Sequence, residues 1–254
     1  MIFNTYGSID NPHIMLIHGA GYGWWNFINY IDTLSKSYYV IIPTLDGHSE
    51  DSQTQYISTE YCAEQIIKYI EKSPAKKKLH LLYGLSLGGQ IVLEMISSKP
   101  DIAEKAVIDG SIFYPQPKLA KISKIIVKYC YNIMFTKTAC KIQMFLLKFS
   151  SKRTITDIQK QMYIKFIPVL KKETLYNIYD TYMASYQLKS TIKNSQTDII
   201  CIYGSKEMEC VKYSAEKLKE LLPHLRIIEY KGLNHGELAL YYPDKFLNML
   251  NEIL

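Results

Sequence analysis

The sequence predicts an α/β fold built on a mostly parallel sheet. Short β-branched and aromatic runs alternate with longer helix-period segments, at the spacing that strand–helix–strand units need. Most of the runs are continuously apolar with little alternation, as expected of strands covered by helices on both faces. No segment repeats at a fixed period.

In chain order, the expected strands are residues 2–6, 13–18, 38–43, 79–83, 106–109, 198–203 and 226–230, about seven in all. The expected helices are 25–34, 59–71, 88–97, 214–222 and 243–254. Residues 112–197 break the alternation. They hold no convincing strand, several helix-period patterns, and Pro115, Pro117 and Pro168 as punctuation. They also carry 15 Lys or Arg against Asp157, Glu173 and Asp180, a net charge of +12, while the rest of the chain is at −6. This shift marks a helical insertion, 112–197, in a core made of 1–111 and 198–254.

The strand at 79–83 runs into Gly84-Leu85-Ser86-Leu87-Gly88-Gly89, and a helical pattern follows. A serine between glycines at a strand-to-helix turn is the G-x-S-x-G nucleophile elbow. The turn is strained, and small flanking residues let the serine stand exposed. The helix N-terminus behind it offers N–H groups to a developing oxyanion. The competing reading is an N-cap serine in a glycine-rich turn.

A seryl hydroxyl needs an adjacent base. His235, in Gly232-Leu233-Asn234-His235-Gly236 after the last strand, lies where that base belongs, with His18 as the next candidate or a brace for its own loop. His13, His80 and His224 read as structural or surface residues. The third member is an acid that fixes the histidine tautomer. Glu207, just past the strand at 198–203, gives the order Ser, acid, His. Asp109, ending the preceding strand, is the alternative acid, and Glu209 is expected to point elsewhere. The loop His18-Gly19-Ala20-Gly21-Tyr22-Gly23 supplies a second set of backbone amides at a strand end, and Ala20 and Leu87 are the expected oxyanion donors. A dinucleotide fingerprint fails there, because Trp24 stands where the third glycine should be. Tyr22 and Trp24 are candidates for the wall of an acyl pocket, whereas Trp25 can equally start a helix and pack inside.

These segments, together with Pro43-Thr44-Leu45-Asp46-Gly47-His48, resemble the α/β-hydrolase superfamily, in particular its small capped serine esterase/lipase-like members. The resemblance covers roughly 12–110 and 196–250. It implies Ser86 as nucleophile, His235 as base, a helical cap over 112–197 inserted after the sixth strand, and no metal or organic cofactor. A serine elbow is unlike the aspartate-nucleophile dehalogenases and epoxide hydrolases. Three departures stand out. Ser49 follows Gly47-His48 where the family usually has glycine, the acid is Glu rather than Asp, and the N-terminus has room for one strand fewer than the usual eight.

Composition narrows the function classes. With 48% hydrophobic and 21% charged residues the chain is an ordinary globular protein. No apolar run nears the ~18–20 residues that span a bilayer, and the start lacks a secretory signal, so a cytoplasmic location is expected. Five cysteines, odd in number and without a C-x-x-C pair, suggest buried thiols and no zinc site. The net charge is +6, yet only Arg153 and Arg226 are arginines, which argues against nucleic acid. The expected partner is a small ester or thioester substrate. Within 117–153, nine basic residues and no acid make a weak association with anionic surfaces conceivable, against the plainer reading of a solvated lysine face. A slow ligand-binding sensor, and a peptidase or lyase on the same residues, are the rival functions.

Overall fold

The computed structural model describes residues 1–48, 54–73, 78–149 and 153–254. Seven strands form one sheet: β1 (Ile2–Tyr6), β2 (His13–Ile17), β3 (Tyr39–Thr44), β4 (Leu79–Leu85), β5 (Ala103–Asp109), β6 (Asp198–Gly204) and β7 (Arg226–Tyr230). Their order is β1-β3-β2-β4-β5-β6-β7. β1 is the antiparallel edge, and every other pairing is parallel.

β2 shows why the central strands read as unbroken apolar runs. Met15 and Ile17 pack on one face with α2 (Thr59–Lys72) and α3 (Leu87–Ser98), while Ile14 and Leu16 pack on the other with α1 (Ile28–Leu34) and the C-terminal helix. Both faces are core, and each such side chain contributes about 1.5–3 kcal/mol as it leaves water.

Between β5 and β6 the described residues form helices: α4 (Pro117–Met134), α5 (Lys137–Phe149), α6 (Asp157–Phe166), α7 (Lys172–Ile178) and a π-helical turn, Tyr179–Ser185. The insertion therefore follows the fifth strand of this sheet, not the sixth. The two counts differ because this sheet has seven strands, with β1 at its edge, rather than the eight on which that numbering rests. The insertion is not wholly separate from the core, since Ile178, Tyr182 and Ile192 join the same apolar cluster as α3. Val127, Leu170 and Leu175 make a small cluster of their own.

α8 (Glu209–Leu221) starts five residues before the sequence suggests, because Met208 at its N-cap offers no side-chain cap to mark it. α9 (Glu237–Tyr241) and α10 (Pro243–Ile253) close the chain. The expected helix from residue 25 begins instead as a 3₁₀ turn, Trp24–Phe27. β2, β4, β5 and β6 all end on one edge of the sheet, where the candidate residues collect. Ser49 lies outside the described residues.

Candidate active site

Ser86 joins β4 directly to α3 and has φ 53° and ψ −114°, the only non-glycine with positive φ among the described residues. Such a backbone costs on the order of 1–3 kcal/mol and persists only when its surroundings over-determine it. Here they do. The Ser86 N–H donates to Asp109 O at 2.7 Å, and Ser111 Oγ donates to Ser86 O at 2.5 Å. The side chain makes no capping bond to α3, so the N-cap reading fails.

The flanking glycines are steric necessities. A Cβ on Gly84 would lie 2.4 Å from Gly88 C, and one on Gly88 would lie 2.3 Å from Ile17 O. Gly232, at φ +82°, has nothing within 4 Å of the same position. Gly88→Ala should therefore lower unfolding free energy by about 2–4 kcal/mol in urea titrations, since neither backbone can yield. Gly232→Ala should lose only the ~1–2 kcal/mol of the left-handed backbone. Equal losses would mean that strain, not contact, selects these glycines.

A continuous line of contacts leads away from the serine. Ser86 Oγ is 3.0 Å from His235 Nε2, and His235 Nδ1 is 2.7 Å from Glu207 Oε1. A carboxylate can only accept, so Nδ1 carries the proton and Nε2 presents its lone pair to the serine hydroxyl. Glu207 is buried, whereas the His235 side chain stays 44% exposed along one edge. Burial of the rest of the ring works against the imidazolium, but the hydrogen bond and charge of Glu207, with the charge of Asp109, hold His235 above its ordinary value.

Asp109 is not the acid that meets the histidine. It is buried and accepts the Tyr83 hydroxyl at 2.6 Å. Burial pushes it up to about 7, against the opposing pull of Tyr83 and His235. Glu209 points away and pairs with Lys212 at 3.1 Å. Gly110, to which the sequence reading gave no role, has φ +61°, and a Cβ there would sit 2.8 Å from Glu207 Oε1 and 3.2 Å from His235 Nδ1. Its bareness makes room for the Glu–His contact.

The glycine loop after β2 lies against the elbow, since a Cβ on Gly19 would be 3.4 Å from Ser86 Cβ. Leu87 is the first residue of α3, so its N–H has no acceptor within the helix. His18 braces this loop. Leu45 N–H donates to its Nε2 at 3.1 Å and its Nδ1 donates to Gly19 O at 2.8 Å. Burial, with His48 beside it, drives His18 down to about 3, so it stays neutral. Tyr22 and Trp24 stand in aromatic packing between loop and insertion, with the Tyr22 ring 5.2 Å from Trp25 and 6.4 Å from Tyr163.

One neighbour of Ser86 escaped the sequence reading. The Tyr182 hydroxyl, on the π-helical turn of the insertion, is 3.4 Å from Ser86 Oγ. Burial pushes it up to about 12, so it remains a neutral donor. Gln90 on α3 seats that turn, donating to Tyr182 O at 3.0 Å and Ile112 O at 2.8 Å. At the other end of the site Arg153 pairs with Glu237, just past the His235 loop. Burial pushes Glu237 upward, but hydrogen bonds from the Asn234 N–H and amide and from Arg153 keep it below its ordinary value. Among the described residues, no three His, Cys, Asp or Glu side chains gather as metal ligands.

The arrangement can be set beside known proteins. A family model described as alpha/beta hydrolase fold matches residues 12–130. The fold aligns over nearly all of this chain with solved structures. A carboxylesterase structure from the thaumarchaeon Nitrososphaera gargenis aligns over 99% of this chain and 92% of its own, at TM-score 0.77 and 15% identity. The chain has the α/β-hydrolase fold. An enol-lactonase from Burkholderia xenovorans LB400 aligns over 99% of the chain and 95% of its own, at TM-score 0.74 and 14% identity. A thermophilic esterase from Thermogutta terrifontis does so over 99% and 91%, at TM-score 0.73 and 12% identity. The magnesium-chelatase 30 kDa subunit of Rhodobacter capsulatus is 31% identical over 99 residues, 37% of the chain. That match spans only 33% of the curated relative's length.

Proposed function

We propose that this protein is a serine hydrolase that cleaves carboxylic esters or thioesters through an acyl-enzyme on Ser86. The reading is carried by the line Ser86 Oγ, His235 Nε2, His235 Nδ1, Glu207 Oε1, with both contacts at 3.0 Å or less. Ser86 Oγ attacks the carbonyl carbon while its proton passes to His235 Nε2. The oxygen of the tetrahedral adduct takes the negative charge and is held by the N–H groups of Ala20 and Leu87. Collapse breaks the bond to the alcohol or thiol, which leaves with the proton from His235. Water then gives its proton to His235 and attacks the acyl carbon, and the acid departs as Ser86 regains its hydrogen. Glu207 holds the Nδ1–H of His235 and stabilises the imidazolium. The insertion acts as a cap that shapes access to the acyl group, and its Tyr182 hydroxyl lies 3.4 Å from the reacting oxygen.

Intact mass after exposure to a fluorophosphonate tests this reading. One adduct is expected on the wild type, none on Ser86→Ala, and a greatly slowed one on His235→Ala. An ester and thioester chain-length panel then defines the acyl group. A folded wild type that takes no adduct would overturn the hydrolase reading in favour of a ligand-binding sensor on the same fold.

A further inference from the structure

The outer surface of the insertion has a composition that the catalytic reading does not use. On α4 the residues Ile122, Ile126, Tyr129 and Ile133 recur at i, i+4, i+7 and i+11, the spacing of a single apolar stripe. Such a stripe normally faces a core. Here it faces outward, with Tyr129 70% and Ile133 71% exposed, while α4 buries Ala120 and Val127 instead. α5, two residues further on, repeats the pattern with Ile142, Phe145 and Leu146, all exposed.

The same stretch is basic without exception. Residues 117–149 hold seven lysines and no acid. Lys124 pairs with Asp180 across the insertion. Lys118, Lys121, Lys137 and Lys141 form no ion pair among the described residues, and Lys118 and Lys121 run beside the apolar stripe of α4. We propose that α4 and α5 form a docking surface for an anionic lipid bilayer, with the apolar stripes sunk into the acyl boundary and the lysines at the headgroups.

Charge chooses the occupant. A second copy of this chain would bring lysine row against lysine row. A protein interface of this kind would be poor in lysine and rich in arginine, tyrosine and tryptophan at its centre, whereas this surface carries lysines, isoleucines, Leu146, Tyr129 and Phe145, with no arginine or tryptophan. Anionic headgroups need only point charges on flexible stems that reach outward from a submerged helix. The insertion's +12 against −6 elsewhere turns this face toward such a surface from a distance. The docking is peripheral, since no helix among the described residues is long and apolar enough to cross a membrane.

The test is flotation of the whole protein with vesicles of phosphatidylcholine alone and of phosphatidylcholine with phosphatidylglycerol, at low and high salt. Binding is expected to the anionic vesicles only, and to fall with salt. Reversing Lys118 or Lys121 to Glu should lower partitioning at least about fivefold each. Ile133→Glu with Leu146→Glu should lower it about tenfold or more. These side chains are exposed, so circular dichroism and the thermal midpoint should match the wild type. No flotation, equal flotation with neutral vesicles, or indifference to both sets of substitutions would overturn the proposal. So would sedimentation equilibrium showing a dimer that Ile133→Glu dissolves, because the occupant would then be a second copy.

Discussion

Ser86→Ala is expected to cut ester hydrolysis by about 10⁴–10⁶-fold while leaving the urea midpoint within about 0.5 kcal/mol of the wild type. The rate loss follows from the bond that cannot form. Without Oγ the proposed acyl-enzyme cannot form, and only binding and the proposed oxyanion amides of Ala20 and Leu87 remain to help water attack. The small stability effect follows from where Oγ sits. It is half-buried, makes no capping bond to α3, and among the described residues has His235 and Tyr182 within hydrogen-bond distance. The backbone strain at φ 53° is present with either residue, because it is fixed by Asp109 O and Ser111 Oγ rather than by the serine side chain. His235→Ala should lose a comparable amount, and the double variant little more than either single one, since the two groups act on one proton. Kinetics on the two single variants and the double variant check this. Losses that multiply in the double variant would show two independent contributions and break the proposed relay.

The elbow was legible in the sequence because its chemistry is local. Gly84, Ser86 and Gly88 lie within five residues, and the strand before them and helix after them are periodic on their own. The strand ends were legible for the same reason, though Gly84-Leu85 extends β4 beyond the apolar run and Ala103-Glu104-Lys105 extends β5 before it. Glu207 and His235 needed only chain order and strand position. What the sequence could not show is contact across distance. Tyr182 meets Ser86 from 96 positions away, on a π-helical turn that has no apolar period of its own. Gly110 looks like any glycine after a strand until Glu207 and His235 are seen closing over it. The stripe of α4 misleads in the other direction. Its period promises a core-facing helix, and the fold turns that face to solvent.

Glu207→Gln and Asp109→Asn separate the two acids that the sequence left in competition. Glu207→Gln should lower kcat/KM by about 10⁴-fold, because a glutamine amide can donate to Nδ1 and favour the tautomer whose Nε2 already carries a proton. Its second signature is in pH. His235 accepts the serine proton only when neutral, so kcat/KM rises as pH passes the imidazole's value, which lies above 6.5 chiefly because Glu207 overcomes burial. Removing that carboxylate moves the acid limb of the profile to lower pH. A raised histidine also stabilises the fold below its unfolded value near 6.5, an increment lost as pH climbs through the folded value, and Glu207→Gln should erase it. Asp109 predicts the opposite pattern. Its folded value of about 7 lies above the ordinary 3.8, so the folded state holds the extra proton, and stability falls as pH rises between those values. Asp109→Asn keeps an acceptor for the Tyr83 hydroxyl and cannot ionise. Its urea midpoint should match the wild type below pH 4 and exceed it above pH 7, with kcat/KM within about tenfold. If Asp109→Asn instead cost the larger share of activity, the acid of the relay would be Asp109, and the 2.7 Å Glu207–His235 contact would be a structural one.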